Sequence, residues 1–225
     1  MVEGKWGSKV KIVSGNYALS VLTKLRDKRT GQIDFRKGLV RLGRVLGLAI
    51  YNDMPVRKVK IETPLAPAEG IEVPDAENVV IITILRAAMP LTEGLVKIFP
   101  SARQGVISAR RVEEKGMKPG YVFEIELTYI RIPEIKPEDT VIIADPMLAT
   151  GSTIVSVLRE VLKKGKAKKY IVASVIATPV GIEKILENYP NIDITIYTVA
   201  VDEKINEKGY IVPGLGDAGD RAFGG

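Results

Sequence analysis

The chain has 225 residues, a formal charge of +6 from 33 Lys and Arg against 27 Asp and Glu, and neither cysteine nor histidine. Without cysteine there is no disulfide or thiolate chemistry, and without histidine a Ser-His-Asp triad or a histidine-ligated zinc is excluded. Catalysis must then rest on carboxylates, lysine, arginine, hydroxyls, backbone groups or a hard cation, an inventory suited to positioning and electrostatics.

There is ample material for a core in one domain, and no apolar run of about 18 or more residues to cross a membrane. The opening Met-Val-Glu-Gly-Lys-Trp lacks the apolar centre of a signal peptide, so a soluble, cytoplasmic protein is expected. The charge is uneven: residues 1–60 hold 14 Lys and Arg but only 4 Asp and Glu. Such a quarter suits nucleic acid, a solvated helix pair or a site for nucleotide phosphates.

Periodicity predicts helices over 16–26, with Leu19, Leu22 and Leu25 on one stripe, and over 34–51, with Phe35, Leu39, Leu42, Leu46 and Ala49. Asp34 is the expected N-cap of the second. The turn between them holds Arg26, Lys28, Arg29, Thr30 and Gly31, either an exposed loop or a phosphate grip. Residues 56–73 alternate, turn through a Pro-rich segment and resume at Ile71, which predicts a hairpin-like arm.

Val79–Leu85 is the first buried strand; Arg86 follows it, then a helix opened by Pro90 and carrying Leu91, Leu95 and Ile98. An arginine at the carboxyl end of a parallel strand stands where open α/β sheets bind ligands, though a surface ion pair is the plainer role. Gln104–Ala109 is a further strand ending at Arg110 and Arg111. The charged, Gly- and Pro-broken stretch 112–119 and the alternation over 121–132 suit either a lid or a solvated hairpin.

Thr140–Thr153 is the most informative stretch. Val141–Ala144 is an apolar run for a strand buried on both faces, ended by Asp145 and Pro146. Met147 and Leu148 lead into Ala149, Thr150, Gly151, Ser152 and Thr153, and helical spacing begins at Ile154. Strand, acid, small-residue turn and helix start make an anion cradle, because amides and dipole converge at a helix N-terminus. The alternative is an ordinary turn capped by Ser152.

Strands over 170–177 and 192–201 with a helix over 180–188 complete the alternation. It predicts an α/β fold: an open, mainly parallel twisted sheet with helices on both faces. The expected division is helices and arm to residue 78, core 79–203 and a small C-terminal hood 204–225. Gly214, Gly216 and Gly219 fit G-x-G-x-x-G, but only six residues follow, too few for a dinucleotide-binding unit. Backbone so free of side chains can instead read the N–H and C=O edges of a flat heterocycle.

Four stretches carry a resemblance, in order: I-L-R-A-A-M-P from Ile84, A-R-R-V-E-E from Ala109, D-P-M-L-A-T-G-S-T from Asp145 and Y-I-V-P-G-L-G-D-A-G-D-R from Tyr210. They resemble the uracil phosphoribosyltransferases, from about residue 17 onward; Ser152 stands where that family usually has a second glycine. The resemblance implies transfer of a ribosyl phosphate from 5-phosphoribosyl 1-diphosphate to uracil, giving UMP, with Mg²⁺ held mainly by substrate and water. It assigns the diphosphate to Arg86 and Arg111, with Lys115 a weaker candidate, and a non-proline cis peptide to Arg86–Ala87. The 5′-phosphate falls to Ala149–Thr153 and the ribose to Asp145, with Pro146, Met147 and Leu148 also placed among the residues that bind the sugar diphosphate.

By the same resemblance, Ile211, Gly216 and Ala218 bind uracil through their backbone, and Asp217 faces the sugar diphosphate and its metal. It also implies GTP or CTP effectors, placed at Arg26–Gly31, and a homo-oligomer, dimer or tetramer. Two rivals stand beside it: proteins of this fold that bind messenger RNA, and use of a purine base. A nucleic-acid partner is the lesser expectation.

Overall fold

The computed structural model describes residues 5–225, apart from the side chain of residue 113. Most of the opening six residues, read above for the lack of a leader, lie outside that range. A 3₁₀ turn (Gly7–Lys9) leads into a short strand β1 (Val10–Ile12), followed by helices α1 (Asn16–Arg26) and α2 (Gln32–Asn52). In α1 the buried residues are Ala18, Val21, Leu22 and Leu25, spaced by helical turns. Leu19, expected on that stripe, is 44% exposed. The stripe is turned by about one residue, so that small Ala18 faces the core.

Helix α2 buries Phe35, Leu39, Leu42, Leu46 and Ile50, while Ala49 is only half-buried. It starts two residues before the expected point: Gly31 is the cap, and Asp34 lies in the first turn, where the dipole favours an acid. A two-stranded arm follows, β2 (Arg57–Glu62) paired antiparallel with β3 (Pro67–Glu72). It buries little, leaving Ile61, Leu65 and Ile71 exposed.

The core continues with β4 (Val79–Leu85), α3 (Met89–Val96), β5 (Arg103–Arg111), β6 (Ile125–Arg131), β7 (Thr140–Ala144) and β8 (Met147–Leu148). Then come α4 (Ser152–Leu162), β9 (Lys169–Ala177), α5 (Pro179–Asn188) and β10 (Ile194–Val201). The sheet order is β1-β10-β9-β7-β4-β5-β6, with β8 alongside β9. Every pairing is parallel except β5 with the edge strand β6. Ile81, Ile142 and Ile171 pack under α1–α3, and Val80, Val141 and Val172 pack under α4 and α5. Burial on both faces explains why these strands read as unbroken apolar runs.

Helices α2 and α3 touch backbone to backbone: a Cβ on Gly94 would lie 2.2 Å from the Val40 carbonyl oxygen, and one on Gly43 2.2 Å from that of Leu91. Three sequence expectations are corrected here. β5 runs through Arg110 and Arg111, because the antiparallel partner β6 extends it. β6 starts at Ile125 rather than near residue 121, with one bridge, Lys118 to Val122, closing the connection before it. The non-proline cis bond is Leu85–Arg86, one bond earlier than expected.

The chain ends in a hood made of the hairpin β11 (Lys204–Ile205) and β12 (Ile211–Val212) and the short helix α6 (Ala218–Phe223). Among the described residues no helix is long and apolar enough to cross a membrane.

Candidate active site

The carboxyl ends of β4, β5 and β7 open on one side of the sheet, and the hood closes over them. Between them lies a cavity of about 290 Å³. Its floor comes from Asp145, Met147, Ala149 and Thr153, one wall from Arg111, and its roof from Ile211, Gly216, Asp217 and Ala218. A narrow niche formed by Leu148, Thr150 and Gly151 adjoins it beside Asp145 and Arg111. Residues remote in sequence and singled out separately are thus brought to one place.

The niche is held from behind. Gly151 caps α4 at φ +78°, where a Cβ would meet the Gly181 carbonyl oxygen at 2.7 Å, so both the turn and the approach of α5 need glycine. Thr178 Oγ1 donates to the Ala149 carbonyl (2.6 Å), and the Leu148 amide donates to Ser174 Oγ (3.1 Å). The Pro146 carbonyl accepts from the amides of Val175 and Ile176, so Pro146 is a buried support rather than a lining residue.

Ser152 does not cap α4. It is the first helical residue, and its Oγ accepts from the Phe123 amide (3.2 Å) and from Thr150 Oγ1 (3.2 Å). The Ser152 cap expected of an ordinary turn is therefore not what forms. A hydroxyl at this position ties the β5–β6 connection to the loop.

Asp145 accepts a hydrogen bond from the Met147 amide at Oδ1 (3.1 Å). Burial pushes its carboxyl up to about 6, with that bond and the Arg111 charge pulling the other way. At neutral pH it is mostly ionised, a negative charge held in a poorly solvated pocket. Arg111 donates to the Gly209 carbonyl (3.2 Å), and its guanidinium lies 4.9 Å from the centre of the Phe123 ring. It projects from the end of a paired strand, not from a loose hairpin. Asp217 caps α6 by accepting from the Asp220 amide (2.9 Å) and also accepts from the Tyr210 hydroxyl (3.2 Å).

Arg86 does not line the cavity, although Leu85 and Ala87 on either side of it do. Its guanidinium pairs with Asp220 at 3.2 Å, both side chains being more than half exposed at the mouth. Lys115 pairs with Glu124, away from the cavity lining.

The turn Arg26–Gly31 is likewise no part of the cavity. Arg26 forks onto both oxygens of Asp202 (2.8 and 2.7 Å), Arg29 is paired with Asp27, and Thr30 donates to the Lys24 carbonyl. Lys28 is exposed. Much of the N-terminal basic surplus lies elsewhere, where Arg36, Lys37, Arg41 and Arg44 of α2 join Lys97 around a groove of about 870 Å³.

Phe123, Tyr210 and Arg221 were not singled out by the sequence, yet each contacts a site residue or the segment that carries one. The available signal was weak: Phe123 is one of only four phenylalanines, set in a charged stretch where a solvated loop would have none. Gly214 and Gly216 precede the six-residue helix α6, and Gly219 lies within it.

Among the described residues no group of three or more acidic side chains could cage a cation. Asp145 in the floor and Asp217 in the roof both line the cavity and offer hard oxygen donors. That set fits a Mg²⁺ ion bound through one or two carboxylates together with substrate phosphates and water.

Residues 12–225 match the family model described as uracil phosphoribosyltransferase. The uracil phosphoribosyltransferase of Pyrococcus furiosus is 54% identical over 225 residues, covering all of this chain and 94% of that one. That of Pyrobaculum arsenaticum is 56% identical over 214 residues, covering 95% of this chain and 98% of that one. Among solved structures, the AQ2163 protein from Aquifex aeolicus superposes with a TM-score of 0.84 at 32% identity, over 96% of this chain and 98% of that one.

Proposed function

Because the chain belongs to the uracil phosphoribosyltransferase family, we propose that the cavity under the hood is where it joins uracil to the ribosyl phosphate of 5-phosphoribosyl 1-diphosphate. The products are UMP and diphosphate, a salvage reaction of pyrimidines. One observation carries the placement: the Asp145 carboxylate lines both the niche at Gly151 and the adjoining cavity roofed by Gly216–Ala218.

Substitution at the anomeric carbon passes through a sugar with oxocarbenium character, as in glycoside transfer. The amides and hydroxyls of Ala149–Thr153 hold the 5′-phosphate at the start of α4. Asp145, ionised above about pH 6, binds the ribose hydroxyls and faces the positive charge that develops on the ring. Arg111 neutralises the diphosphate from the cavity wall. Arg86, held only by an exposed pair with Asp220, is free to exchange that carboxylate for the diphosphate. Mg²⁺ would be held mainly by substrate and water with Asp217 beside it, and would supply further neutralisation of the leaving group.

Uracil is read by the backbone of Ile211, Gly216 and Ala218. Among the described residues the amides of Gly216 and Ala218 have no hydrogen-bond partner. Asp217 is placed to orient water near the metal. Incubating the protein with labelled uracil, 5-phosphoribosyl 1-diphosphate and Mg²⁺ should yield labelled UMP; no UMP would refute the reading.

Regulation by GTP or CTP and assembly into dimers or tetramers belong to the same proposal. A nucleotide gripped by Lys28 and Arg29 must displace Asp27 from Arg29. Identical GTP responses in the wild type and Arg29→Ala would reject that site.

A further inference from the structure

Backbone can discriminate between bases only when its N–H and C=O directions are fixed, and the base-reading segment looks poorly suited to that. Gly214 and Gly216 sit at φ +57° and +71°, and the nearest sheet, β11–β12, has two residues per strand. Glycines in such a segment lose the most conformational freedom on ordering. Something outside the segment must hold it.

Two arginines do so. Arg26 at the end of α1 forks onto Asp202, which is 8% exposed, and its Nη1 also donates to the Gly214 carbonyl at 3.1 Å. Asp202 Oδ2 in turn accepts from the Gly214 amide at 2.9 Å, so both backbone groups of Gly214 are taken. The next carbonyl, Leu215, accepts from Arg221 Nη1 at 2.8 Å. Arg221 also donates to the carbonyls of Leu25 and Asp27, and its guanidinium lies 4.3 Å from the centre of the Phe35 ring. The carbonyls before Gly216 are therefore pinned to the α1–α2 junction, while the amides of Gly216 and Ala218 are left for the cavity.

We propose that Arg26, Asp202 and Arg221 are positioning residues that set the base-reading backbone, so that the basic α1–α2 turn contributes to uracil recognition without touching uracil. This rests on the reading that the base binds under Gly216–Ala218. The planar fork is what does the holding: a lysine keeps the charge but cannot contact both oxygens of Asp202 and a carbonyl together.

The test is steady-state kinetics on the full chain with each substrate varied in turn, for Arg26→Lys, Arg221→Lys and Asp202→Asn. Circular dichroism and thermal midpoints establish which variants fold. Arg26→Lys and Arg221→Lys should raise KM for uracil about tenfold, with KM for 5-phosphoribosyl 1-diphosphate within about twofold of wild type. They should also narrow the preference for uracil over cytosine. Asp202→Asn keeps an acceptor for the Gly214 amide and should fall between. Folded variants whose two KM values rise together, or whose uracil KM stays put, overturn the proposal.

Gly216→Ala separates the two layers. If it raises KM for uracil while the arginine variants do not, the clamp is wrong and the base site stands. If it also leaves KM for uracil unchanged, the base is read elsewhere and both fall.

Discussion

The floor and the roof of the cavity are built on different principles. The floor, Asp145–Thr153, is continuous with the sheet: β7 enters it, β8 within it pairs with β9, and α5 packs so closely that two glycines are needed. The roof, Lys204–Gly225, has almost no sheet and is fastened by arginine side chains to carbonyl oxygens. A phosphate needs several amides at fixed spacing, which strand and helix ends supply. A flat base needs only a few backbone groups, which a tethered chain end can present. The floor should therefore be sensitive to side-chain size, and the roof to loss of guanidinium geometry.

The largest expected effect is at the floor's charge. Asp145→Asn should lower kcat by about 3–4 kcal/mol, typical of removing a preorganised electrostatic contact, with circular dichroism unchanged. A folded variant with wild-type turnover would strip Asp145 of its role. The sign of its pH dependence follows from burial. The carboxyl, raised to about 6, gains a proton as pH falls, so kcat/KM should decline below about pH 6. That limb should vanish in Asp145→Asn; its persistence would assign the titration to another group.

Arg86→Ala should cost about 2–4 kcal/mol in kcat/KM by losing a charge-assisted contact with the leaving group. Its thermal midpoint should barely move, because the Arg86–Asp220 pair is exposed. Unchanged kcat/KM would remove Arg86 from the mechanism. Gly151→Ala strains a left-handed position and should destabilise the fold by about 1–3 kcal/mol, raising KM for the sugar diphosphate more than for uracil. Equal effects on both would blur the floor–roof contrast.

The smallest effect is expected from Ser152→Ala. Loss of one hydrogen bond to the Phe123 amide, worth about 1 kcal/mol, should loosen the β5–β6 connection. Faster amide exchange at residues 121–124 would report this, and unaltered exchange would show that the bond holds nothing.

The central strands were legible because burial on both faces leaves no room for polar residues, and the strand–loop–helix junction at Asp145–Thr153 because strand, acid, glycine and helix start adjoin in sequence. What escaped depends on partners distant in the chain. Val10–Ile12 has no signal of its own and becomes a strand only against β10. Met147–Leu148 pairs only because Pro146 sets it beside β9. The partner of Arg26 is 176 residues away, so its local sequence suggested an outward-facing phosphate site. Arg221 was hidden in the same way, its contacts lying across the molecule at Leu25, Asp27 and Phe35.

The glycine contact between α2 and α3 bears on how this enzyme can vary. With Val40 and Leu91 carbonyls standing where methyl groups would go, any larger residue at Gly43 or Gly94 pries the two helices apart. α3 is joined directly to the cavity edge through Leu85–Ala88, so such a wedge would be felt as a misaimed Arg86. Drift at these two positions is thus limited by the aim of a guanidinium they do not touch as much as by the fit of the helices themselves.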